Sequence, residues 1–178
     1  MPTPTPKKRW QINPQITPIA AQNLVEYSAV LQQILFNRGH ATAESARRYL
    51  EASPPPDSEP ERMLGISESV ERIRYALKHN EKIAIYGDYD VDGVTATALL
   101  TEVLRGLGGS EIIPYIPNRF EEGYGLNREA LELLKDNGVS LVITVDCGIR
   151  SLPEAEAARK LGLDMIITDH HHPHTDLP

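Results

Sequence analysis

Acidic and imidazole side chains fall in three short segments of this sequence, and each segment directly follows an apolar run of strand length. The segments are 88–93 (Asp-Tyr-Asp-Val-Asp-Gly), Asp146, and 169–172 (Asp-His-His-His). Ligands of open parallel sheets bind just beyond the carboxyl ends of the strands, so we expect the three segments to meet at one edge of a sheet. The spacing therefore predicts a polar site assembled from distant parts of the chain.

The five aspartates of these segments predict a metal centre. Five carboxylates in one pocket would repel one another strongly, whereas two divalent cations would nearly cancel their charge. Oxygen ligands combined with one or two imidazoles suit Mn²⁺ or Mg²⁺ better than zinc or copper. Two such ions about 3.5–4 Å apart clamp a phosphoryl oxygen and activate water, so the chemistry indicated is phosphoester hydrolysis.

Simpler interpretations of each segment stay open when the segment is taken alone. Residues 88–93 also fit a solvated turn, or a phosphotransferase loop in which the first Asp attacks phosphorus, although that reaction leaves the His run unused. A calcium loop of the EF-hand type is disfavoured, because its twelfth position is Leu99 rather than Glu and the loop follows a strand. Asp146 alone fits a strand-end cap, and the histidines alone fit a surface run. The combination favours the metal centre.

Apolar periodicity predicts the elements that position these segments. Helices are expected over 19–36, 43–50, 66–79, 94–107, 128–135 and 152–161, and strands over 82–86, 112–116, 141–145 and 165–168. Thr42 and Asn127 are predicted helix N-caps, and Gly39 and Gly138 are predicted helix ends. Strands that alternate with helices predict an α/β fold with a parallel sheet covered by helices on both faces.

Proline content predicts how the chain is divided. Nine of the 14 prolines lie in the first 60 residues. Residues 1–18 are predicted to be a flexible arm, residues 19–52 a helical segment, and residues 53–62 a stiff Pro-rich linker. Residues 63–178 then form the domain that carries the acidic segments.

Composition excludes several classes of protein. The net charge of −7 argues against binding nucleic acid through a broad basic surface, although it is compatible with an enzyme that acts on nucleic acid. The single cysteine, Cys147, excludes a disulfide framework and a cysteine-based zinc site. The sequence shows neither a membrane-spanning run nor a signal peptide, so a cytoplasmic location is expected.

The wording of the motifs resembles the DHH phosphoesterase superfamily. Residues 88–93, 145–149 (Val-Asp-Cys-Gly-Ile) and 169–171 (Asp-His-His) are similar to three of its signature motifs, and residues 117–126 are similar to a further one. The stretch Arg-Phe-Glu-Glu-Gly-Tyr-Gly from Arg119 is most similar to single-stranded-DNA-specific 5′ to 3′ exonucleases of that superfamily. The resemblance covers about residues 60–178. It implies metal-dependent phosphodiester hydrolysis in DNA repair and recombination, with single-strand-binding proteins or helicases as partners of the complete protein.

The resemblance also implies the ligands of two Mn²⁺ or Mg²⁺ ions. Asp88 and Asp90 would bind one ion, and Asp92 and His170 would bind the second. Asp146 would bridge the two ions.

The remaining site residues implied by the resemblance act around the metal ions. Asp169 would orient the adjacent imidazole, and His171 would face the scissile phosphate as a charge stabiliser or proton donor. The substrate-binding residues implied are Arg119, Gly123, Tyr124 and Gly125. The Gly-Tyr-Gly stretch is also compatible with an ordinary turn.

The chain departs from these exonucleases in its length. They are several times longer and carry a further Asp ligand and a second substrate-binding domain, so we expect this chain to be an N-terminal fragment that binds Mn²⁺ weakly and has little or no nuclease activity alone. Two other functions stay open: a DHH phosphodiesterase acting on short oligonucleotides, cyclic dinucleotides or pyrophosphate, and a catalytically silent binding module.

Overall fold

The computed structural model of the protein describes residues 11–52, 54, 58–120, 123 and 125–178. The chain divides into two compact units, Met1–Arg62 and Met63–Pro178. No helix among the described residues is both long enough and apolar enough to cross a bilayer.

The described residues of the first unit form three short helices and a 3₁₀ turn. They are α1 (Pro18–Asn23), α2 (Ala29–Asn37), α3 (Ala43–Leu50) and the turn at Pro60–Arg62. Leu24, Leu35 and Ala46 form the buried core of the unit. Thr42 caps α3 as predicted, since its hydroxyl accepts a hydrogen bond from the backbone N–H of Ser45.

The prediction of one continuous helix over residues 19–36 is wrong. The chain leaves α1 at Leu24 and enters α2 at Ser28, whose hydroxyl accepts a hydrogen bond from the N–H of Leu31. Apolar periodicity continued through this break because Leu24 and Tyr27 also pack on the small core. A tight turn and a helix therefore produce the same sequence pattern here.

The end of the predicted arm is hydrogen bonded to α2. The side chain of Gln33 accepts a hydrogen bond from the N–H of Ile16 and donates one to the carbonyl of Pro14. Pro18 already belongs to α1. Residues 1–10, 53 and 55–57 of the predicted arm and linker lie outside the described residues.

The second unit alternates helices and strands, and its elements follow one another in a regular order. They are α4 (Ile66–Lys78), β1 (Lys82–Tyr86), α5 (Val91–Gly106), β2 (Ile112–Tyr115), α6 (Arg128–Asp136), β3 (Val139–Val145), α7 (Leu152–Leu161) and β4 (Asp164–Thr168). The sheet order is β2-β1-β3-β4, and every neighbouring pair is parallel. The predicted α/β fold is confirmed.

Alternation along β1 shows how helices come to cover both faces of the sheet. Ala84 and Tyr86 pack in one buried cluster with residues of α6 and α7. Ile83 and Ile85 pack in a second cluster with residues of α4 and α5. Successive side chains of a strand point to opposite faces, so a strand that is apolar on both faces, as β1 is from Ile83 to Tyr86, requires a cover on both sides.

Helix α5 begins one turn earlier than the predicted residue 94. Asp90 is its N-cap, and its Oδ1 accepts hydrogen bonds from the N–H groups of Asp92 and Gly93 at 3.0 and 3.1 Å. An Asp at this position satisfies amides that the first helical turn leaves unpaired. The second acidic residue of the 88–93 segment therefore fixes where the helix starts.

Candidate metal centre

The three polar segments meet at one edge of the sheet, as their spacing predicted. Strand β3 lies between β1 and β4 and is parallel to both, so the residues that follow Tyr86, Val145 and Thr168 leave the same edge of the sheet in a row. This adjacency explains how residues far apart in sequence form one site.

Asp88 is held rigidly at the start of the first loop. It is only 1% exposed. Its Oδ1 accepts a hydrogen bond from the N–H of Tyr89. Its Oδ2 is buried and has no hydrogen-bond partner among the described residues. A buried carboxylate oxygen without a donor is costly, so this atom is suited to a cation.

Asp146 follows β3 in an uncommon backbone conformation. Its φ of 62° lies in the left-handed region, which Asp adopts more readily than most residues. Its N–H donates to the carbonyl of Thr168 at 3.0 Å, which ties the turn to the end of β4. The residue continues the sheet pairing while its backbone already turns away from the strand.

The environment of the Asp146 carboxylate favours a positive partner. Burial, followed by the nearby charges of Asp90 and Asp92, raises the pKa of Asp146 above its ordinary value, although His170 acts in the opposite direction. Its Oδ1 lies 2.9 Å from Nε2 of His170. Oδ1 has no hydrogen-bond partner within the described part of the chain.

Asp146 belongs to two groups of potential metal ligands. The first contains Asp88, Asp90 and Asp146, and the second contains Asp146, His170 and His171. Within each group, one ligand atom from every residue lies within 4.8 Å of the others. Two adjoining ligand sets that share one carboxylate have the arrangement expected of a bridging residue.

Asp92 lies close to these groups but belongs to neither of them. It lines a groove together with Asp146, Asp169 and His170. The structure thus places Asp92 at the same edge of the sheet, outside the two ligand groups.

The side chain of Asp169 is almost fully buried and contacts the imidazole of His171. Its Oδ1 accepts a hydrogen bond from the N–H of His171 at 2.9 Å and lies 2.7 Å from Nδ1 of the same residue. Its Oδ2 accepts a hydrogen bond from the N–H of Ile149 at 3.0 Å. Both carboxylate oxygens are therefore used, and Nε2 of His171 is the ring nitrogen left for other ligands.

The contact between Asp169 and His171 favours the charged form of both side chains. Burial acts to raise the pKa of Asp169, but the backbone hydrogen bonds from His171 and Ile149 outweigh it and lower the pKa. The hydrogen bond to Asp169 raises the pKa of His171. A histidine held in this way is suited to stabilise negative charge or to donate a proton.

The predicted substrate-binding residues lie at different distances from this edge. The Arg119 guanidinium stacks 5.1 Å over the ring of Tyr89, next to Asp88. Gly125 has a φ of 79° and lines a pocket with His171 and Asp169. Gly123 is exposed, with a φ of 83°. Tyr124 lies outside the described residues.

Sequence reasoning missed the contribution of Gly93 and Arg150. A Cβ atom on Gly93 would lie 2.5 Å from the carbonyl oxygen of Asp88, so only glycine allows the loop to pack on α5. Nε of Arg150 donates to the carbonyl of His172 at 2.7 Å. Gly93 is visible in the motif itself, whereas no sequence pattern connects residues 150 and 172.

Residues 82–178 match the DHH family, N-terminal domain, and the chain belongs to this family. It is 43% identical over 176 residues to the single-stranded-DNA-specific exonuclease RecJ of Bacillus subtilis (strain 168), which covers 97% of this chain and 22% of the relative. It is 37% identical over 153 residues to RecJ of Escherichia coli (strain K12), covering 86% and 26%. The chain therefore spans about a quarter of the length of these relatives. The predicted resemblance to the single-strand-specific members of the family is confirmed.

Solved structures give the same relationship. A crystal structure of exonuclease RecJ bound to manganese has a TM-score of 0.61 and 38% identity, over 70% of this chain and 31% of that chain. RecJ from Thermus thermophilus in complex with Mn²⁺ has a TM-score of 0.58 and 28% identity, over 90% of this chain and 22% of that chain.

Proposed function

We propose that this chain is the metal-binding N-terminal part of a single-stranded-DNA-specific 5′ to 3′ exonuclease that hydrolyses phosphodiester bonds. The observation that carries the proposal is the position of Asp146, which is common to two groups of potential metal ligands. The identity to RecJ exonucleases over nearly the whole chain supports the choice of substrate. The complete protein would act on single-stranded DNA in repair and recombination, together with single-strand-binding proteins or helicases.

The residues at the sheet edge fit divalent cations. Oδ2 of Asp88 and Oδ1 of Asp146 are buried without a hydrogen-bond donor among the described residues. Carboxylates with a minority of imidazoles form the donor set that suits Mn²⁺ or Mg²⁺. When bound, these ions supply Lewis acidity to the phosphate and lower the pKa of water.

We assign the ligands from the two groups. Asp88 and Asp90 would hold one ion, Asp146 would bridge, and His170 would hold the second ion. Asp92 would join the second ion, since it lines the same groove as Asp146 and His170. Two ions would nearly neutralise carboxylates that otherwise repel one another.

His171 would act on the phosphate while Asp169 holds it in place. The carboxylate of Asp169 is within hydrogen-bond distance of Nδ1, so the proton of the imidazolium available to a substrate is the one on Nε2. The raised pKa keeps this proton available at higher pH. The ring would therefore stabilise charge on the phosphate or protonate the leaving oxygen.

Arg119 and the loop around Gly125 would bind the single-stranded DNA. The fork of donors of an arginine matches phosphate geometry, and Arg119 stacks close to the Asp88 segment. Gly123 and Gly125 would allow the strand to approach the backbone closely, and Tyr124 would stack on a base.

Calorimetric titration with Mn²⁺ tests the assignment. Wild-type protein should bind Mn²⁺, Asp146→Asn should lose binding to both groups, and Asp136→Asn, which changes an exposed residue at the end of α6, should bind as wild type does. Circular dichroism would show that all three proteins are folded. Equal Mn²⁺ affinity of Asp146→Asn and wild type would refute the proposal.

Cleavage of a 5′-labelled single strand, compared with the same strand in a duplex, tests the substrate. We expect weak cleavage of the single strand at most, because this chain covers only part of its relatives. Any cleavage that requires Mn²⁺ should be lost in Asp146→Asn. Cleavage that survives this substitution would show that the activity arises elsewhere.

A further inference from the structure

A pocket of about 240 Å³ lies beside His171 and is separate from the groove that contains most of the metal ligands. Its lining consists of Gly125, residues 148–151, Asp169 and His171. Asp169 is the one described residue that lines both the pocket and the groove. His171 belongs to the second ligand group and also lines the pocket, so the pocket adjoins the proposed metal centre.

Arg150 is held in this pocket by one of its three nitrogens. Its Nε donates to the carbonyl of His172 at 2.7 Å. Within the described part of the chain, its two terminal nitrogens make no hydrogen bond or ion pair. The guanidinium keeps four N–H donors on these nitrogens. The hydrogen bond from Nε therefore restricts the side chain of Arg150, while the N–H groups of its two terminal nitrogens stay available to bind an anion.

The acidic residue in the pocket does not cancel this charge. Both oxygens of Asp169 already accept hydrogen bonds, from the backbone N–H groups of His171 and Ile149, and Oδ1 also contacts the His171 ring. Arg150 thus brings to the pocket four N–H donors that have no acceptor within the described part of the chain, beside Nε2 of His171. The pocket has space for several water molecules, which is enough for a phosphodiester group.

We propose that Arg150 is a positioning residue that holds a phosphate group of the single strand in this pocket, next to the phosphate that is cleaved. The inference rests on the proposed function, because it places the neighbouring phosphate in the pocket beside His171, which would face the phosphate that is cleaved. A guanidinium donates two parallel hydrogen bonds to a phosphate, which fixes orientation as well as position. Holding the neighbouring phosphate aligns the scissile bond with His171.

An alternative role of Arg150 would be purely structural, since its hydrogen bond also supports the segment after His171. Two substitutions separate these roles. In Arg150→Gln the side-chain amide nitrogen takes the place of Nε and still reaches the carbonyl of His172, but the charge and the fork are removed. Arg150→Ala removes the hydrogen bond to His172 as well as the charge and the fork of donors. Arg159→Gln is the matched control, because Arg159 is an exposed arginine in the last turn of α7.

The measurement is a titration followed by the NMR amide shifts of Ile149 and Ser151, which detects weak binding. The ligands are a thymidine tetranucleotide and three versions in which one linkage at a time is a neutral methylphosphonate, each with and without Mg²⁺. We expect Arg150→Gln to weaken binding of the unmodified strand about tenfold, and Arg159→Gln to leave it unchanged. One of the three methylphosphonate versions, the one that lacks the charge bound by Arg150, should bind the wild-type protein more weakly by the same factor. The same methylphosphonate should cause no further loss of binding to Arg150→Gln, because the partner of that charge is already absent.

Three results would overturn the proposal: no shift of these amides, equal binding by Arg150→Gln and wild type, or a loss confined to Arg150→Ala. Calorimetry with Mn²⁺ distinguishes failure of the positioning role of Arg150 from failure of the proposed function. Arg150→Gln should bind Mn²⁺ with the wild-type affinity. Metal binding without Arg150-dependent strand binding would refute the positioning role alone. Strand binding through Arg150 without metal binding would refute the proposed metal centre alone.

Discussion

Substitution of Gly93 by alanine is expected to displace Asp88, a proposed metal ligand, by pushing on its backbone rather than on its carboxylate. Gly93 is buried in the first turn of α5, and its Cβ would lie 2.5, 2.6 and 2.7 Å from the O, N and C atoms of Asp88. These are backbone atoms that cannot rotate away. Ordinary contact begins near 3.4 Å, so the closest pair must separate by 3.4 − 2.5 = 0.9 Å.

Two opposing effects set the change in stability. Alanine favours a helix over glycine by about 1 kcal/mol. Overpacking a close contact costs about 1–3 kcal/mol. The free energy of unfolding should therefore fall by roughly 0–2 kcal/mol, which leaves the protein folded.

The larger effect of Gly93→Ala is on metal affinity. A shift of almost 1 Å moves Asp88 relative to Asp90 and Asp146, whose ligand atoms must stay within a few ångströms of a common ion. Disrupting the contacts that hold a metal-binding side chain in position lowers metal affinity by about 10–100-fold. We expect a loss of this size for Mn²⁺ in a calorimetric titration, with stability measured by urea unfolding.

Gly106→Ala is the matched control in the same helix. A Cβ at Gly106 meets nothing within 4 Å, so this substitution should raise stability by up to about 1 kcal/mol and leave Mn²⁺ affinity unchanged. If Gly93→Ala binds Mn²⁺ as tightly as Gly106→Ala does, the contact between α5 and the Asp88 loop does not set the geometry of the site.

Two further predictions concern titratable groups at the same edge of the sheet. Cys147 is only 1% exposed, and its burial raises the pKa of the thiol to about 12. Iodoacetamide at about pH 8 should therefore label Cys147 only after denaturation. Rapid labelling of the folded protein would contradict this prediction. The lowered pKa of Asp169 and the raised pKa of His171 make their contact most stabilising between the ordinary values of 3.8 and 6.5. The difference in unfolding free energy between wild type and Asp169→Asn should therefore be greatest in that window, and should narrow as pH falls through the folded pKa of Asp169 or rises through that of His171. A difference that does not vary with pH, measured by denaturation at several pH values, would show that the contact carries no charge-dependent stability.

Much of the second unit could be predicted from the sequence because its strands are short, apolar and bounded by clear signals. Residues 82–86 are strand β1 at the predicted bounds, and Asn127 caps α6 as predicted. The parallel arrangement followed from the alternation of strands and helices, and it brought the three polar segments to one edge. Local patterns suffice here because each is enforced by burial on both faces of the sheet.

Boundaries were less predictable where one pattern fits two conformations. The break between α1 and α2 was missed because Leu24 contributes to the core although it lies at the end of a helix. The start of α5 was placed too late because Val91 and Asp92 do not belong to the apolar face of the helix. In both places a hydrogen-bonding side chain, Ser28 or Asp90, decides the boundary.

The residue types at positions 88–93, 146 and 169–172 determined by themselves the chemistry expected of this protein, because carboxylates and imidazoles have fixed preferences for cations. Only the tertiary structure decided that Asp146 is common to both ligand groups, that Asp169 contacts His171, and that Arg150 lies in the adjoining pocket. The first and last of these relations join residues on different strands and loops, and the contact between Asp169 and His171 depends on how the loop after β4 folds. Their distances depend on sheet register and loop conformation, which no local pattern in the sequence encodes.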